Sequence, residues 1–355
     1  MKSVTINLME DIFMKKKLLI LFLILFSITG CVANNSDLST SNGKITNNKE
    51  QTKQEKNNLV SYNGSLKLDG VDIVNQYDEK FQLKGMSSHG LQWYGNLINE
   101  ENIKVLRDEW NSNVFRVAMY TDEGGYLSNK SLYDTLIEKV DMIIENDMYV
   151  IIDWHILKDN NPKTHLTEAK DFFEKVSKKY KDTPNVIYEI CNEPNSGATW
   201  DNDIKPYADE VIKVIRENSK DSIIIVGTPT WSQDVLDPIN NKIEDKNIMY
   251  ALHFYAGTHT DWLRQRLSDA RKNNIPIFVS EWGTTNADGN GGVYLEESTK
   301  WINFMNENHI SWINWSLSDK NESSAILKPG TNEKGFSDSD LTESGKFVKS
   351  AIKGE

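Results

Sequence analysis

The sequence predicts an α/β fold, a single (β/α)8 TIM barrel with an N-terminal β-hairpin. Short apolar runs typical of buried strands alternate with segments of helical periodicity from residue 81 onward. Polar residues cluster at the carboxyl ends of these runs, on the face where such barrels carry their loops. A two-lobed, doubly wound fold would show a linker near the middle of the 355 residues, and none is found.

The first 31 residues have the pattern of a secretory signal. Lysines 15–17 precede the apolar run 18–28, which is too short to span a bilayer comfortably. The run ends in Ile28-Thr-Gly-Cys31, which resembles a bacterial lipoprotein processing site and predicts lipidation of Cys31. A plain signal peptide, or a translation start at Met14, is the alternative interpretation.

Residues 32–58 are predicted to form a disordered linker, and residues 59–355 the folded domain. The linker is rich in Asn, Ser, Thr, Lys and Gln and has too few apolar side chains to form a core. The only cysteines are Cys31 and Cys191, so no disulfide is possible if Cys31 is lipidated. We expect Cys191 to pack as a small hydrophobic residue at the end of a buried strand.

A hairpin should open the domain, with 65–70 and 71–75 as its arms and a turn at Asp69-Gly70. The strand candidates after it lie near 81–86, 113–119, 148–154, 186–191, 222–228, 247–254, 275–280 and 310–316. Helical periodicity marks the segments 132–143, 172–180, 204–215 and 263–270 between them.

The composition narrows the class of partner. The chain has 40 Lys and Arg residues and 52 Asp and Glu residues, which gives a net charge of −12. This charge argues against a nucleic acid or an anionic membrane surface as the binding partner. Ten Trp and thirteen Tyr are a heavy aromatic content. Core packing accounts for most of them, and some can supply stacking platforms for sugars.

Two glutamates stand at the carboxyl ends of predicted strands. The run 186–191 is followed by Asn192-Glu193-Pro194, and Pro194 stops the strand because it offers no N–H to the ladder. The run 275–280 is followed directly by Glu281. A structural ion pair explains either glutamate alone equally well. Together they match the carboxyl groups, about 5–5.5 Å apart, of a glycosidase that acts by double displacement.

Further polar or aromatic side chains mark the strand ends, one of them beside Glu193 and the rest on other strands. They are His89, Arg116, His155, Asn192, Trp231, His253, Tyr255 and Trp315. One polar strand end would mean little, but their convergence on the carboxyl-terminal face of a barrel predicts a site there.

Five motifs give the sequence a resemblance to a known family. They are Ser88-His-Gly-Leu-Gln-Trp93, Tyr188-Glu-Ile-Cys-Asn-Glu-Pro194, His253-Phe-Tyr255, Ser280-Glu-Trp-Gly283 and Trp315-Ser-Leu-Ser-Asp-Lys320. Over about residues 62–355 the sequence resembles glycoside hydrolase family 5, in its bacterial endo-β-1,4-glucanase (cellulase) branch. The family usually has Ala where Cys191 stands, a small difference that we expect to be silent.

The resemblance implies a retaining, endo-acting hydrolase (EC 3.2.1.4) of β-1,4-glucosidic bonds in cellulose-type or mixed-linkage β-glucans, without cofactor or metal. It implies Glu193 as the acid/base and Glu281 as the nucleophile. Asn192 matches the amide that bonds the sugar 2-hydroxyl. The other residues implied in catalysis are Arg116 and Tyr255, which hold the nucleophile ionised, and the orienting histidines His155 and His253.

The resemblance also implies the substrate contacts. Trp315 matches a stacking platform and His89 a sugar contact. Lys320 and Glu322 match hydroxyl contacts beyond Trp315. The further candidates for substrate binding are Trp93, Tyr94, Tyr120 and Trp231.

The chemistry required of the two glutamates agrees with these roles. Burial beside apolar walls and a neighbouring carboxylate raises the pKa of an acid, as Glu193 needs in order to be protonated near neutrality. An arginine bonded to Glu281 lowers its pKa and keeps the nucleophile charged. An ion pair of the barrel core is the structural interpretation of Arg116, and it is compatible with that role.

Other interpretations remain open. A metal-dependent barrel hydrolase would want paired histidines such as His-x-His on one strand, and the sequence has none. Asp288-Gly-Asn-Gly-Gly292 hints at a calcium loop but lacks the remaining ligand spacing, which favours a turn.

A non-catalytic sugar-binding lipoprotein would keep the tryptophans but has no need of two strand-end glutamates. The same mechanism acting on mannan or xyloglucan would use the same pair.

The sequence therefore predicts a secreted monomer, held at a bacterial cell surface by a lipid on Cys31. Its expected partner is a β-glucan polysaccharide, and the lipid is its only expected contact with a membrane.

Overall fold

The computed structural model describes residues 58–355, so the predicted signal segment, Cys31 and the linker up to residue 57 lie outside the described residues. Two short strands come first, β1 Lys67–Asp69 and β2 Asp72–Val74. The others are β3 Lys84–Ser88, β4 Val114–Tyr120, β5 Tyr149–His155, β6 Val186–Glu189, β7 Ile224–Val226, β8 Ile248–Tyr255, β9 Ile277–Gly283 and β10 Trp312–Leu317.

Strands β3 to β10 close into a parallel barrel in the order β10-β3-β4-β5-β6-β7-β8-β9. Strands β1 and β2 pair antiparallel, with Leu68 opposite Ile73. The predicted (β/α)8 barrel and its N-terminal hairpin are therefore confirmed. Each predicted strand overlaps an observed one, but most of the observed strands begin later and end later by one to three residues, because the ladder continues into the polar residues at the carboxyl ends.

Helices cover the outside of the barrel. The longer ones are α4 Leu132–Glu145, α5 Leu166–Lys179, α6 Lys205–Asn218, α7 Asp261–Lys272, α8 Leu295–Glu307 and α9 Glu343–Lys353. Three short helices precede them, α1 Val60–Asn63, α2 Leu91–Tyr94 and α3 Glu100–Lys104. The apolar periodicity of the sequence places one face of each long helix on the strands, as in α4, whose buried residues are Leu132, Leu136, Val140 and Ile143.

Shorter helical turns complete the connections. The 3-10 turns are Gly95–Leu97, Pro162–His165, Asp237–Asn240 and Asp338–Asp340, and the π turns are Val105–Glu109 and Trp200–Ile204. Between β7 and β8 the chain forms the short turn Pro229–Ser232 and the 3-10 turn instead of a long helix. Within residues 58–355, no helix is both long and apolar enough to cross a bilayer.

The interior of the barrel is layered along its axis. Strand side chains alternate in direction, so every second residue points inward. Near the amino-terminal ends the inward residues are apolar, among them Val114, Tyr149 and Phe278. The hairpin closes this end, because Leu66 and Ile73 pack into the same cluster. The charged and aromatic residues of the candidate site occupy the layers above.

Candidate active site

Arg116 lies at the centre of the charged layer. It points inward from β4 and is fully buried. Its Nε donates to Oε2 of Glu189 at 2.7 Å, and its Nη2 donates to Oδ1 of Asn192 at 2.7 Å. Its Nη1 lies 3.4 Å from Oε2 of Glu281, and its Nη2 lies 3.1 Å from Oδ2 of Asp153. One guanidinium thus orients several acidic and amide groups at once, as its fan of donors allows.

Glu281 receives donors at both of its carboxylate oxygens. The Tyr255 hydroxyl donates to Oε1 at 2.8 Å, and Arg116 faces Oε2. Burial and the neighbouring Glu193 raise the pKa of Glu281 to about 7, while His253, Arg116 and the Tyr255 hydroxyl oppose that rise. These donors favour the ionised form, but burial and Glu193 outweigh them, so the expected net lowering of the Glu281 pKa by Arg116 is wrong.

A β-bulge in β9 aims Glu281 into the site. Ala251 pairs with Phe278, but His253 pairs with Glu281, so β9 has one more residue than β8 between these pairs. On a regular strand Ser280 and Glu281 would point to opposite faces. The extra residue lets both point inward, which is a common use of bulges beside active sites.

Glu193 lies beyond the end of β6, and its side chain is mostly buried beside His253. Its Oε1 is 2.9 Å from Nδ1 of His253, whose Nε2 is 2.9 Å from Oγ of Ser280. Burial alone would lower the pKa of His253, but hydrogen bonds with Glu189 and Glu193 and the charge of Glu281 raise it to about 9. The carboxylates around His253 therefore stabilise its protonated form.

The carboxylates of Glu193 and Glu281 face each other across the mouth of the barrel. One oxygen of each, together with a ring nitrogen of His253, lie within 4.8 Å of one another. This is the spacing of a double-displacement glycosidase, since an inverting enzyme separates its two carboxyl groups by about 6.5–9.5 Å. Within residues 58–355 the same three residues form the single group of acidic and histidine side chains close enough to hold a metal ion.

His155 and Asn192 are held in defined orientations. Oδ1 of Asn192 accepts from Arg116, so its Nδ2 faces Nε2 of His155 at 3.3 Å and the carbonyl of Ile156 at 3.1 Å. His155 Nδ1 lies 2.7 Å from Oδ2 of Asp153. Burial and Arg116 lower the pKa of His155 well below its usual value, so the ring is neutral, donates from Nδ1 and accepts at Nε2.

An aromatic wall borders the catalytic layer. His155 stacks on Tyr120 at 4.1 Å between ring centroids and on Trp315 at 5.3 Å. His89 lies 4.9 Å from Trp315, and its Nδ1 accepts from the backbone N–H of Gly90. Burial and Lys320 lower the pKa of His89 to about 3, so this ring is neutral as well.

The predicted sugar contacts mostly line one cleft of about 390 Å³ above the carboxylate pair. Trp93 is 46% exposed there. Lys320 and Glu322 form an ion pair on the cleft wall. Tyr94 is the exception, since it packs against the His89 ring at 5.1 Å and is absent from the cleft lining. The other predicted contacts on the lining are His89, Tyr120, Trp231 and Trp315.

Trp231 owes its position to a left-handed turn at the end of β7. Thr230, Trp231 and Ser232 all have positive φ, between 54° and 59°, a conformation that costs about 1–2 kcal/mol per residue. The turn is bonded to the segment that carries Glu193, because Trp231 N donates to the Pro194 carbonyl and Ser232 Oγ to the Asn192 carbonyl. These bonds leave the indole 45% exposed over the cleft.

The loop 288–292, considered above as a calcium loop, folds as a turn. Asn290 N donates to Oδ1 of Asp288, and Gly289, Gly291 and Gly292 have positive φ. Asp288 and Gly289 lie on the cleft lining.

Sequence reasoning missed the polar residues beneath the catalytic pair, which are Ser87, Asp153, Glu189 and Ser280. A signal for two of them was present. Glu189 is a lone charged residue inside an apolar run. Asp153 precedes His155 by two residues, so Asp153 and His155 point to the same side of β5, into the barrel. His259 was missed too; it lies 5.8 Å from Trp262 and, with Trp231, lines a smaller cavity beside the cleft.

The fold and this glutamate pair define a class, the (β/α)8 barrels with a glycosidase constellation at the carboxyl ends of their strands. A family model described as cellulase (glycosyl hydrolase family 5) matches residues 74–321. The chain belongs to that family.

Relatives agree with this membership. An endoglucanase from Clostridium saccharobutylicum is 54% identical over 297 residues, covering 83% of this chain and 66% of the relative. Endoglucanase 5 of Pectobacterium carotovorum subsp. carotovorum is 50% identical over 295 residues, covering 83% of this chain and 58% of the relative. The chain thus spans less than two thirds of the length of either relative.

A solved structure shows the same architecture. The catalytic domain of Thermobifida fusca endoglucanase Cel5A, in complex with cellotetraose, is similar with a TM-score of 0.80 at 36% identity. The match covers 82% of this chain and 98% of that one.

Proposed function

We propose that this chain is an endo-acting β-1,4-glucanase that cleaves cellulose-type or mixed-linkage β-glucans by double displacement with retention of configuration. The observation that carries the proposal is the pairing of Glu193 with Glu281, whose carboxylate oxygens come within 4.8 Å across an open cleft. That spacing leaves no room for a water between sugar and nucleophile, so Glu281 itself is placed to attack.

The chemistry follows from the hydrogen bonds around each carboxylate. Glu281 attacks the anomeric carbon as the glycosidic C–O bond breaks, and Glu193 gives its proton to the departing oxygen. Glu193 then removes a proton from water, whose oxygen attacks the anomeric carbon and releases Glu281. Arg116 and Tyr255 keep Glu281 oriented throughout, and the match of Asn192-Glu193-Pro194 to the family motif supports Asn192 as the amide that bonds the sugar 2-hydroxyl.

The glucan substrate is supported by the relatives and by the cleft. The relatives named above are endoglucanases, and the solved structure holds cellotetraose. In this chain the half-exposed Trp93 and Trp231 offer indole faces on which the apolar faces of sugars can stack, and the more buried Trp315 lines the same cleft. Lys320 and Glu322 offer polar groups to hydroxyls at one side. The open cleft suits internal bonds of a long polymer.

The test is a panel of soluble polysaccharides. Carboxymethyl-cellulose and mixed-linkage β-glucan should yield new reducing ends and a rapid fall in viscosity, the signature of endo cleavage. Proton NMR of the first product should show the β-anomer before mutarotation. Faster cleavage of mannan or xyloglucan would move the proposal to that polymer, and binding without hydrolysis would overturn it in favour of a sugar-binding protein.

We propose further that the protein is exported and tethered to the cell surface as a monomer by a lipid on Cys31. The support is the order of lysines, apolar run and Cys31, followed by the polar segment 32–58. Cys31→Ala should release the enzyme or block its processing without changing its specific activity. A wild-type protein free in the medium with an N-terminus other than residue 31 would contradict the anchor, and light scattering of the delipidated enzyme tests the monomer.

A further inference from the structure

Two polar residues beneath the carboxylate pair have no part in the chemistry described so far. Glu189 on β6 and Ser280 on β9 are fully buried. Oγ of Ser280 lies 2.8 Å from Oε1 of Glu189 and 2.9 Å from Nε2 of His253. Because Nδ1 of His253 lies 2.9 Å from Glu193, an unbroken chain of hydrogen bonds runs from Glu189 to the acid/base candidate.

The hydroxyl of Ser280 has one hydrogen. The group that accepts it determines which atom donates in each hydrogen bond between Glu189 and His253. Burial would raise the pKa of Glu189, but Arg116 and His253 lower it to about 2, so the carboxylate is ionised and can only accept. Its Oε2 accepts from Arg116 at 2.7 Å, and its Oε1 faces Ser280. Ser280 therefore donates to Glu189, and its oxygen can only accept from His253. It follows that Nε2 of His253 carries a hydrogen.

The other nitrogen of His253 then determines where the acid proton lies. If the ring is neutral, Nδ1 is an acceptor, and Glu193 must hold the hydrogen between them. If the ring is cationic, Nδ1 donates to an ionised Glu193. Both forms place a single proton between His253 and Glu193. The neutral form with hydrogen on Nδ1, which would leave Glu193 ionised and unable to donate, is excluded.

We propose that Glu189 and Ser280 are positioning residues that hold His253 with a hydrogen on Nε2, so that His253 and Glu193 share one proton and supply it to the leaving oxygen as a unit. The inference rests on the role proposed above for Glu193. The proton that reaches the leaving oxygen leaves this pair, and water restores it when the second step releases the sugar.

The surroundings of His253 are predominantly acidic, and several strands contribute to them. Glu189 and Glu193 face it from β6 and its end, Glu281 from β9, and Asp153 from β5. The cation of Arg116 on β4 pairs with Glu189, Asp153 and Glu281. Removing Ser280 leaves all of these charges in place, so its replacement tests the hydrogen-bond chain without changing the charge of the site.

The first test needs no turnover. Long-range proton–nitrogen NMR of uniformly labelled enzyme, with His253 assigned by its loss in a His253→Gln variant, reports which ring nitrogen is protonated. We expect Nε2 of His253 to be protonated from pH 6 to 8 in wild type, whatever the enzyme hydrolyses. A neutral ring with hydrogen on Nδ1 would overturn the inference, whereas absence of glucan hydrolysis would overturn only the proposed function.

The second test compares the activity of the Ser280→Ala variant on two substrates. Cellotetraose needs a proton on its leaving oxygen, and 2,4-dinitrophenyl β-cellobioside does not. We expect kcat/KM to fall roughly 10- to 100-fold on cellotetraose, part of the range for acid catalysis, and to change little on the aryl glycoside. Ser280→Thr retains the hydroxyl and should restore the activity on cellotetraose.

A matched control is Ser311→Ala, at a buried barrel serine whose hydroxyl accepts from the backbone N–H of Leu83 at 2.9 Å. It should affect both substrates equally. Equal losses on both substrates in Ser280→Ala, or no loss on cellotetraose, would show that Ser280 has a structural role only. If Ser280→Ala does not fold, the Thr variant and the NMR measurement still decide the question.

Discussion

Glu193 and Glu281 differ in the groups that surround them. Glu281 receives a hydroxyl and a guanidinium, whereas Glu193 shares its hydrogen bond with His253. Donors stabilise a carboxylate, and a group that can carry a proton suits an acid/base. The assignment of roles can therefore be tested one residue at a time.

We expect Glu193→Ala to lose about 10²–10⁴-fold in kcat/KM on glucan but to retain the first step on an aryl glycoside with a good leaving group. Added azide should then raise turnover and give a β-glycosyl azide, because the covalent intermediate still forms. Glu281→Ala should be inactive on both substrates. Azide rescue at Glu281 and not at Glu193 would reverse the assignment, and the anomer is read by NMR.

The pH profile follows from two raised pKa values. Glu281 must be deprotonated to attack, and its pKa of about 7 means that activity falls as the pH drops below that value. The pair of His253 and Glu193 must hold a proton, and the pKa of about 9 at His253 means that activity falls as the pH rises above that value. We expect a bell-shaped kcat/KM profile with limbs near these two values.

Tyr255→Phe provides the internal check of this profile. The Tyr255 hydroxyl lowers the pKa of Glu281, so its removal should move the acidic limb to higher pH and leave the alkaline limb in place. An acidic limb near pH 4 in wild type would show that Arg116 and Tyr255 outweigh burial at Glu281.

The sequence predicted the residues at the mouth of the barrel better than those beneath it. Strand-end positions identified Glu193 and Glu281, because the carboxyl ends of parallel strands meet at one face. Arg116 was predicted at a strand end too, but it is the third residue of β4 and lies beneath the mouth. Ser280 and Glu281 are neighbours, and strand periodicity would send one of them outward. A one-residue bulge has no signature in the residue types around it, so the partnership of Ser280 with Glu189 required the structure.

At the scale of elements, the ends of β6 and β7 approach each other closely at Gly227. A Cβ there would lie 2.1 Å from the Cys191 carbonyl and 2.8 Å from Pro194 Cδ. We expect Gly227→Ala to cost about 1–3 kcal/mol or more of stability through overpacking and to lower kcat, because the segment displaced carries Glu193. Thermal unfolding and initial rates measure the two effects.

Gly95→Ala is the matched control for this element. Its Cβ would meet only Leu91 Cδ2 at 3.6 Å, and its backbone is already helical. The change should be neutral or stabilising by about 0.5–1 kcal/mol. If Gly227→Ala were equally tolerated, the close approach would not constrain the catalytic segment.

The elements themselves were predictable to differing degrees. Long helices such as α4 were predictable because their apolar residues recur with helical periodicity. The strands were predictable because they coincide with continuous apolar runs. The left-handed turn at Thr230 to Ser232 was not predicted, because none of its three residues is a glycine. Hydrogen bonds to the Asn192 and Pro194 carbonyls, which lie far away in sequence, compensate for its strain.

For the molecule as a whole, the barrel separates stability from chemistry along its axis. Ile73 is buried in the apolar cluster at the amino-terminal end, far from the cleft. We expect Ile73→Ala to destabilise the domain by about 2–5 kcal/mol while leaving KM and kcat unchanged below the new melting temperature. Leu68→Ala, at the half-buried neighbour on the hairpin, should cost less, and a change in KM for Ile73→Ala would contradict the separation.

The position of α1, at the end of the barrel opposite the cleft, has a practical consequence. Val60 donates its N–H to the carbonyl of Asp147, two residues before β5 starts, so residue 58 enters the barrel at the end opposite the cleft. A bead, an electrode or a fluorescent reporter coupled through the amino-terminal side would therefore leave the cleft facing solution. Immobilised in that orientation, the domain should meet a dissolved polymer as readily as the free enzyme does.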